Sequence, residues 1–278
     1  MMVLEPILRK EDHELWLIWQ RTALAHSKTQ AYRRRLDRAR AFAVEALSAH
    51  PDAAVMWSCG KDSTALLHLV CVDLGARVRV YAEKDDLDYP GELDYAHRLA
   101  RQWELDLEIL TPPVSPAQWI ADNGHELQDC SDVHSRAAGL SKACFYNVVE
   151  AANARHDLVF LGLRAEESEG RRMNRIFNGV HYYKQPTKLI PNGIWTSTPI
   201  ADWKGIDVFA YLAERDVEIL PVYKCIALMH ASEPWRVRKS WWIPGSHSRF
   251  GGAVWLRHYY PSLYRQLVQW IPAVSTVG

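Results

Sequence analysis

The chain has 278 residues, 48 % of them apolar and 24 % charged, and its 33 basic and 33 acidic side chains cancel to zero net charge. That length suits one large domain with an appendage, or two small ones, and zero net charge excludes a global field drawing the protein to nucleic acid or a membrane surface. The five cysteines (59, 71, 130, 144 and 225) are odd in number and lack any C-x-x-C pair, which argues against a disulfide framework or structural zinc site and predicts a reducing, cytoplasmic setting.

The first twenty residues carry Glu5, Arg9, Lys10, Glu11, Asp12 and Glu14 among their apolar residues, unlike a signal peptide. Nothing in the chain is apolar for long enough to predict a membrane span. Residues 11–49 read as helix, with a basic stripe at Arg33, Arg34, Arg35, Arg38 and Arg40. An apolar strand follows at 53–57, then a helix from Asp62 to Leu74 that stops at Gly75, a favoured residue just past a helix end. Alternation and β-branching make 77–82 a strand, 91–103 a helix and 105–110 a strand, with a proline-rich loop at 111–116. Lys142–Arg155 reads as helix and Asp157–Leu163 as a buried parallel strand. Residues 181–198 suggest a hairpin turning at Pro191-Asn192-Gly193, and Gly205–Arg215 a short helix. The tail from Glu233 is rich in Trp, Arg, Gly and Pro. Strand–helix alternation predicts an α/β fold with a doubly wound, mainly parallel sheet. Ligands of such sheets lie outside the carboxyl ends of the strands, where the loops after Trp57 and Leu163 open.

The first of those loops is Ser58-Cys59-Gly60-Lys61-Asp62-Ser63-Thr64. A strand that turns through small residues into a helix leaves backbone N–H groups unpaired at the positive end of the helix dipole, which makes a phosphate cradle. Lys61 adds a point charge, and Ser58, Ser63 and Thr64 add hydroxyls. It is not a Walker A loop, because Val55 stands where the first Gly belongs and Asp62 follows the Lys. The second loop is Gly162-Leu163-Arg164-Ala165-Glu166-Glu167-Ser168-Glu169-Gly170-Arg171-Arg172. Arginine suits bidentate contact with phosphate or sulfate, so Arg164, Arg171 and Arg172 are candidates to clamp an α-phosphate or an oxyanion substrate.

Taken with Asp86-Leu87-Asp88-Tyr89-Pro90-Gly91-Glu92, with Pro199–Leu212, and with Leu220-Pro221-Val222-Tyr223, these loops form ordered segments spanning roughly residues 53–224. The set resembles the ATP-pyrophosphatase and PAPS-reductase superfamily of adenine nucleotide α-hydrolases. The resemblance implies an N-terminal helical segment (1–50), a PAPS reductase-like nucleotide-binding domain (51–224) and a Trp/Arg-rich C-terminal extension packed on it (225–278). It implies that Ser58, Cys59, Gly60, Lys61, Asp62, Ser63 and Thr64, with Gly162, Arg164, Ser168, Arg171 and Arg172, bind the nucleotide phosphates, and that Lys61, Asp62 and Arg164 serve catalysis. ATP and Mg²⁺ are the implied cofactors. Asp62 and Glu166 are the candidate metal ligands, although Glu166 and Glu167 could instead pair with the arginines.

Some residues have plainer readings. His68, inside the helix after the loop, is expected to pack. His125 and His134 lack a metal-ligand partner at a recognisable spacing. Cys59 sits at a helix N-terminus that lowers thiol pKa values, but its position reads first as one needing a small side chain. Trp203 and Tyr211 are expected in the core, the Asp86–Glu92 turn divides evenly between a site element and a Pro-Gly turn, and Arg136 and Lys142 are weaker substrate-side candidates.

One departure from the resemblance concerns chemistry. Sulfonucleotide reductases of the superfamily use a C-terminal Glu-Cys-Gly-x-His-type segment, whereas here no Cys follows Cys225 and the tail has Trp241-Trp242-Ile243-Pro244-Gly245. The expected activity is therefore cleavage of ATP between the α- and β-phosphates, with AMP transferred to an unidentified acceptor. The alternatives are a PAPS or APS reductase that takes its thiol from elsewhere, and a non-catalytic nucleotide- or nucleic-acid-binding module. The last would use Arg33–Arg40 or the tail residues Trp235, Arg236, Arg238, Lys239, Trp241, Trp242 and Arg249. A homo-oligomer is a candidate assembly, and no membrane partner is expected.

Overall fold

The computed structural model describes residues 6–86, 88–123, 155–186, 191–228 and 251–270. Leu87, His125, Cys130, His134, Arg136, Lys142, Cys144 and the tail residues Trp235 to Arg249 lie outside the described residues, as does nearly all of the helix expected at 142–155.

The sheet is built from β1 (Ala53–Trp57), β2 (Arg79–Glu83), β3 (Asp106–Leu110), β4 (Leu158–Leu161), β5 (His181–Lys184) and β6 (Ile194–Ser197), in the order β3-β2-β1-β4-β6-β5. All neighbours run parallel except β5, which pairs antiparallel with β6 at the edge. Val55 faces Val80 on one side and Phe160 on the other. The chain therefore moves outward from β1 through β2 to β3, then returns to lay β4 on the other flank of β1. The direction of winding reverses between β1 and β4, and the crevice at their carboxyl ends is the ligand position of this architecture.

The central strands read as continuous apolar runs because both sheet faces are covered. On one face Val55, Trp57, Val80, Ala82, Leu158 and Phe160 join the main core. Ala54, Tyr81, Val159 and Ile194 form a second, smaller cluster on the other. The main-core face carries α3 (Lys61–Leu67), which continues as a π-helix over His68–Asp73 before Gly75 turns the chain at φ +69°. Also present are α4 (Glu92–Gln102) and α5 (Pro116–Asn123). The last starts at Pro116, the final residue of the expected proline-rich loop, and covers residues for which no element was expected. Pro116 opens it with a missing N–H that would have been unpaired anyway, and the Ser115 hydroxyl accepts the Gln118 N–H at 2.9 Å.

The expected single helix over 11–49 is two, α1 (Lys10–Ser27) and α2 (Gln30–Ala49). Thr29 ends the first and caps the second, its Oγ1 accepting the Tyr32 N–H at 3.3 Å. Downstream lie α6 (Glu169–Asn178), α7 (Gly205–Glu214), α8 (Gly251–Tyr259) and α9 (Pro261–Trp270). α1 packs along α7.

Two buried carboxylates tie these segments together. Asp207 receives Arg35 through two hydrogen bonds of 2.7 Å, His26 Nε2 at 2.7 Å and the Lys204 N–H at 2.6 Å. Asp12 accepts the Ile226 and Ala227 N–H groups (2.8 and 2.6 Å) and the Tyr259 hydroxyl (2.8 Å), which binds α1 to residues 225–228 and α8. A buried charge is tolerated only when donors satisfy it in this way. No described helix is long and apolar enough to cross a membrane.

The basic stripe of α2 is divided by this packing. Arg35 and Arg40 turn inward, the latter onto Asp73 through bonds of 2.8 and 3.0 Å, while Arg33, Arg34 and Arg38 remain exposed. A surface cleft of about 530 Å³ beside the stripe sets Arg33, Arg40 and Arg215 against Asp37 and Glu214, so its charges are mixed.

Candidate nucleotide-binding site

β1 ends at Trp57 on the carboxyl edge of the sheet, and Ser58–Gly60 turn the chain into α3. Cys59 adopts φ +56°, and its side chain is buried against the core. A left-handed residue with a Cβ carries a conformational cost, and a small side chain limits the crowding there. Gly60 has an ordinary extended φ of −72°; its requirement is spatial. A Cβ at Gly60 would meet Ser58 Oγ at 3.3 Å and the Tyr223 hydroxyl at 3.4 Å.

The amides of this turn are divided between structure and site. Ser58 N–H donates to Ser63 Oγ at 3.3 Å, Lys61 N–H to the Tyr223 hydroxyl at 2.9 Å and Thr64 N–H to Gly60 O at 2.8 Å. The Asp62 and Ser63 amides, in the first turn of α3, have no backbone acceptor among the described residues. They are the donors a phosphate group would meet. Ser58 Oγ and Ser63 Oγ lie 3.0 Å apart beside them. Thr64 departs from the expectation: it is fully buried, and its hydroxyl accepts the Trp57 indole N–H at 2.9 Å. It braces the loop from behind and does not line it.

Gly162, at the end of β4, lets the second segment touch the first. A Cβ there would stand 2.6 Å from Ser63 Cα and 2.8 Å from Ser63 N, both backbone atoms that cannot yield. Two residues on, Arg164 is 2 % exposed. Its Nε donates to Asp62 Oδ1 at 2.5 Å and its Nη1 to Glu166 Oε2 at 2.7 Å. Lys61 Nζ meets the other oxygen, Asp62 Oδ2, at 2.7 Å. Glu166 Oε2 also accepts the Gly205 N–H at the start of α7, at 2.6 Å. Burial by itself would raise the Asp62 carboxyl, but the Lys61 and Arg164 charges outweigh it and hold the group below the usual carboxylate range. Arg164, in turn, is kept charged despite burial by Asp62 and Glu167.

That arrangement bears on the metal assignment. Each oxygen of Asp62 already faces a cation, one oxygen of Glu166 is shared by Arg164 and an amide, and no group of three or more metal-capable side chains occurs among the described residues. Asp62 and Glu166 do not fit a protein-built Mg²⁺ site, which needs carboxylate oxygens turned toward the ion.

The arginine assignment is narrowed as well. The stretch 164–172 is not an open loop. A 3₁₀ turn at Ala165–Glu167 leads into α6, whose N-cap is Ser168, with Oγ accepting the Arg171 N–H at 3.2 Å. Ser168 thus serves the helix. Arg171 pairs with Glu167, and Arg172, 61 % exposed, reaches Glu169 at 3.4 Å. Of the three arginines only Arg164 contacts the phosphate loop.

Elsewhere the plainer expectations hold. Trp203 and Tyr211 are buried. His68 packs edge-on to Trp103 with Nδ1 2.9 Å from the Tyr211 hydroxyl, and burial pushes its pKa down to about 4, helped by Arg215. In the 86–92 turn, Asp86 binds the Ser115 hydroxyl and the Ala117 N–H, so it secures the start of α5. Burial pushes the Cys71 thiol up to about 12 and also raises Cys225. Tyr223, with its hydroxyl on Lys61 N–H, was not among the expected site residues. Its only signal in the sequence was the Leu220–Tyr223 segment.

A turn that leaves helix-start amides unpaired, at the β1/β4 reversal of a mainly parallel sheet, is the arrangement of a doubly wound α/β fold with its candidate site at the carboxyl edge. Residues 52–226, more than half of the chain, match the family described as the phosphoadenosine phosphosulfate reductase domain, and the chain belongs to that nucleotide-binding family. The chain is 24 % identical over 193 residues to "Sulfate adenylyltransferase subunit 2" of Photobacterium profundum, covering 61 % of this chain but 59 % of that protein. Among solved structures it is similar to Candida glabrata FMN adenylyltransferase in complex with FAD and inorganic pyrophosphate (TM-score 0.50, 11 % identity, 77 % of this chain and 69 % of that one). It is also similar to the phosphoadenylyl-sulfate reductase of Candida auris (TM-score 0.47, 16 % identity, 66 % and 81 %).

Proposed function

We propose that the chain binds ATP and cleaves it between the α- and β-phosphates, passing AMP to an acceptor and releasing pyrophosphate. The observation that carries this reading is the pair of largely buried cations, Lys61 and Arg164, held on opposite oxygens of Asp62 beside the Asp62 and Ser63 amides. An acceptor lone pair attacks the α-phosphorus, the bond to the bridging oxygen breaks, and its electron pair leaves on pyrophosphate. Lys61, the two amides and the Ser58 and Ser63 hydroxyls stabilise the leaving group. Arg164 stabilises the α-phosphate as charge redistributes. This is catalysis by positioning and preorganised charge, with no oxidant or reductant. Mg²⁺ bound to the nucleotide would neutralise further phosphate charge.

Kinship with sulfate adenylyltransferase subunit 2 supports adenylyl transfer and makes sulfate the first acceptor to test. A thiol-dependent reductase would need a thiolate, and among the described residues burial raises the pKa of Cys71 and Cys225 away from that form. The test incubates the protein with ATP, Mg²⁺ and sulfate while pyrophosphate is followed, and in parallel with PAPS and a dithiol while sulfite is followed. Pyrophosphate without sulfite is expected; sulfite without pyrophosphate would overturn the reading.

A further inference from the structure

We propose that Tyr223 is a positioning residue of the phosphate loop, acting through Lys61; the inference rests on the pyrophosphate-releasing reading of that loop. Tyr223 lies in the 3₁₀ turn Pro221–Lys224, 162 positions along the chain from Lys61, and is 1 % exposed. It holds Lys61 at both ends. Its hydroxyl oxygen accepts the Lys61 backbone N–H at 2.9 Å, and its ring lies 5.4 Å from the Lys61 ammonium.

Two consequences follow from that double contact. The Lys61 N–H, which would otherwise join the unpaired donors of the first helical turn, is withheld from ligand, so the anion is directed to the Asp62 and Ser63 amides. The ammonium, placed between the aromatic face and Asp62 Oδ2, is fixed in height above the loop. The hydroxyl also closes the space beside Gly60, where a Cβ would come within 3.4 Å of it. Tyr223 is itself held by its N–H on Leu220 O at 3.2 Å and by an edge-on contact with Phe209 at 6.4 Å. The turn after α7 therefore sets the shape of a loop 162 positions earlier in the chain.

The test compares wild type, Tyr223→Phe and Tyr259→Phe. The last is a control that loses a buried hydroxyl donated to Asp12 at 2.8 Å, away from the loop. Inorganic pyrophosphate affinity is measured by calorimetry and Lys61 amide exchange by NMR. In Tyr223→Phe the ring stays but the buried N–H loses its acceptor, so pyrophosphate binding weakens roughly tenfold and Lys61 exchange accelerates by a similar factor. Tyr259→Phe changes neither. Unchanged binding and exchange in Tyr223→Phe, or equal losses in Tyr259→Phe, would overturn the role of Tyr223. Wild-type protein that binds neither pyrophosphate nor ATP would instead overturn the proposed activity, and Lys61 exchange would still decide whether Tyr223 holds the loop.

Discussion

The two segments that meet at the carboxyl edge of the sheet behave differently. Ser58–Ser63 keeps its functional groups together because a tight turn makes sequence neighbours into spatial neighbours. Arg164–Arg172 spends its length forming a 3₁₀ turn and the first turn of α6, so residues close in sequence leave in different directions. Arg164 enters the site while Arg172 points at Glu169 on the surface. A run of charges near a strand end is one site only where the backbone stays compact; once a helix starts, each residue follows the 100° rotation of the helix.

The largest effect separates the arginines. Lys61→Ala and Arg164→Ala are each expected to lower pyrophosphate release by roughly 10²–10³-fold, while Arg172→Ala stays within about twofold, as for other surface changes. A comparable loss in Arg172→Ala, read in the same assay, would restore the whole segment to the site. Next comes the contact between the segments. Gly162→Ala pushes a Cβ into the Ser63 backbone, so about 1–3 kcal/mol of stability should be lost in urea unfolding, together with pyrophosphate binding.

The helices behind the two segments allow finer tests. His68, behind the first, has a folded pKa of about 4 against an unfolded value near 6.5, so the unfolded state takes up the proton first. Its contribution is complete above pH 6.5 and is lost as pH falls toward 4. The slope is at most about 1.4 kcal/mol per pH unit and is reduced by whatever solvent reaches the ring. A His68→Gln variant should flatten that part of the melting-temperature profile, and an unchanged profile would remove His68 from the account. Smallest is Ser168→Ala, which removes the α6 cap and should cost about 1 kcal/mol with turnover unchanged. A large fall in nucleotide affinity would return Ser168 to the phosphate site.

Much of this was legible without coordinates. The alternation of apolar strands and helices, the turn at Ser58–Gly60 and the Gly75 stop are local patterns, set by side-chain period and backbone freedom within a few residues. Ranges for β1, α4 and α7 agreed closely for that reason. The break at Thr29 was obscured because helical periodicity continues on both sides of it, and α5 was hidden behind a proline read only as a loop signal.

By itself, then, the sequence determined the alternation of strands and helices and the position of the Ser58–Gly60 turn, since both follow from short-range patterns. Only the tertiary structure decided the pairings: Asp62 between Lys61 and Arg164, Arg35 on Asp207, and Tyr223 on the Lys61 amide. Those partners lie up to 172 positions apart, apart from the adjacent Lys61 and Asp62. No periodicity links such positions, and each pairing exists because a charge or a polar group taken from water during folding must find a partner.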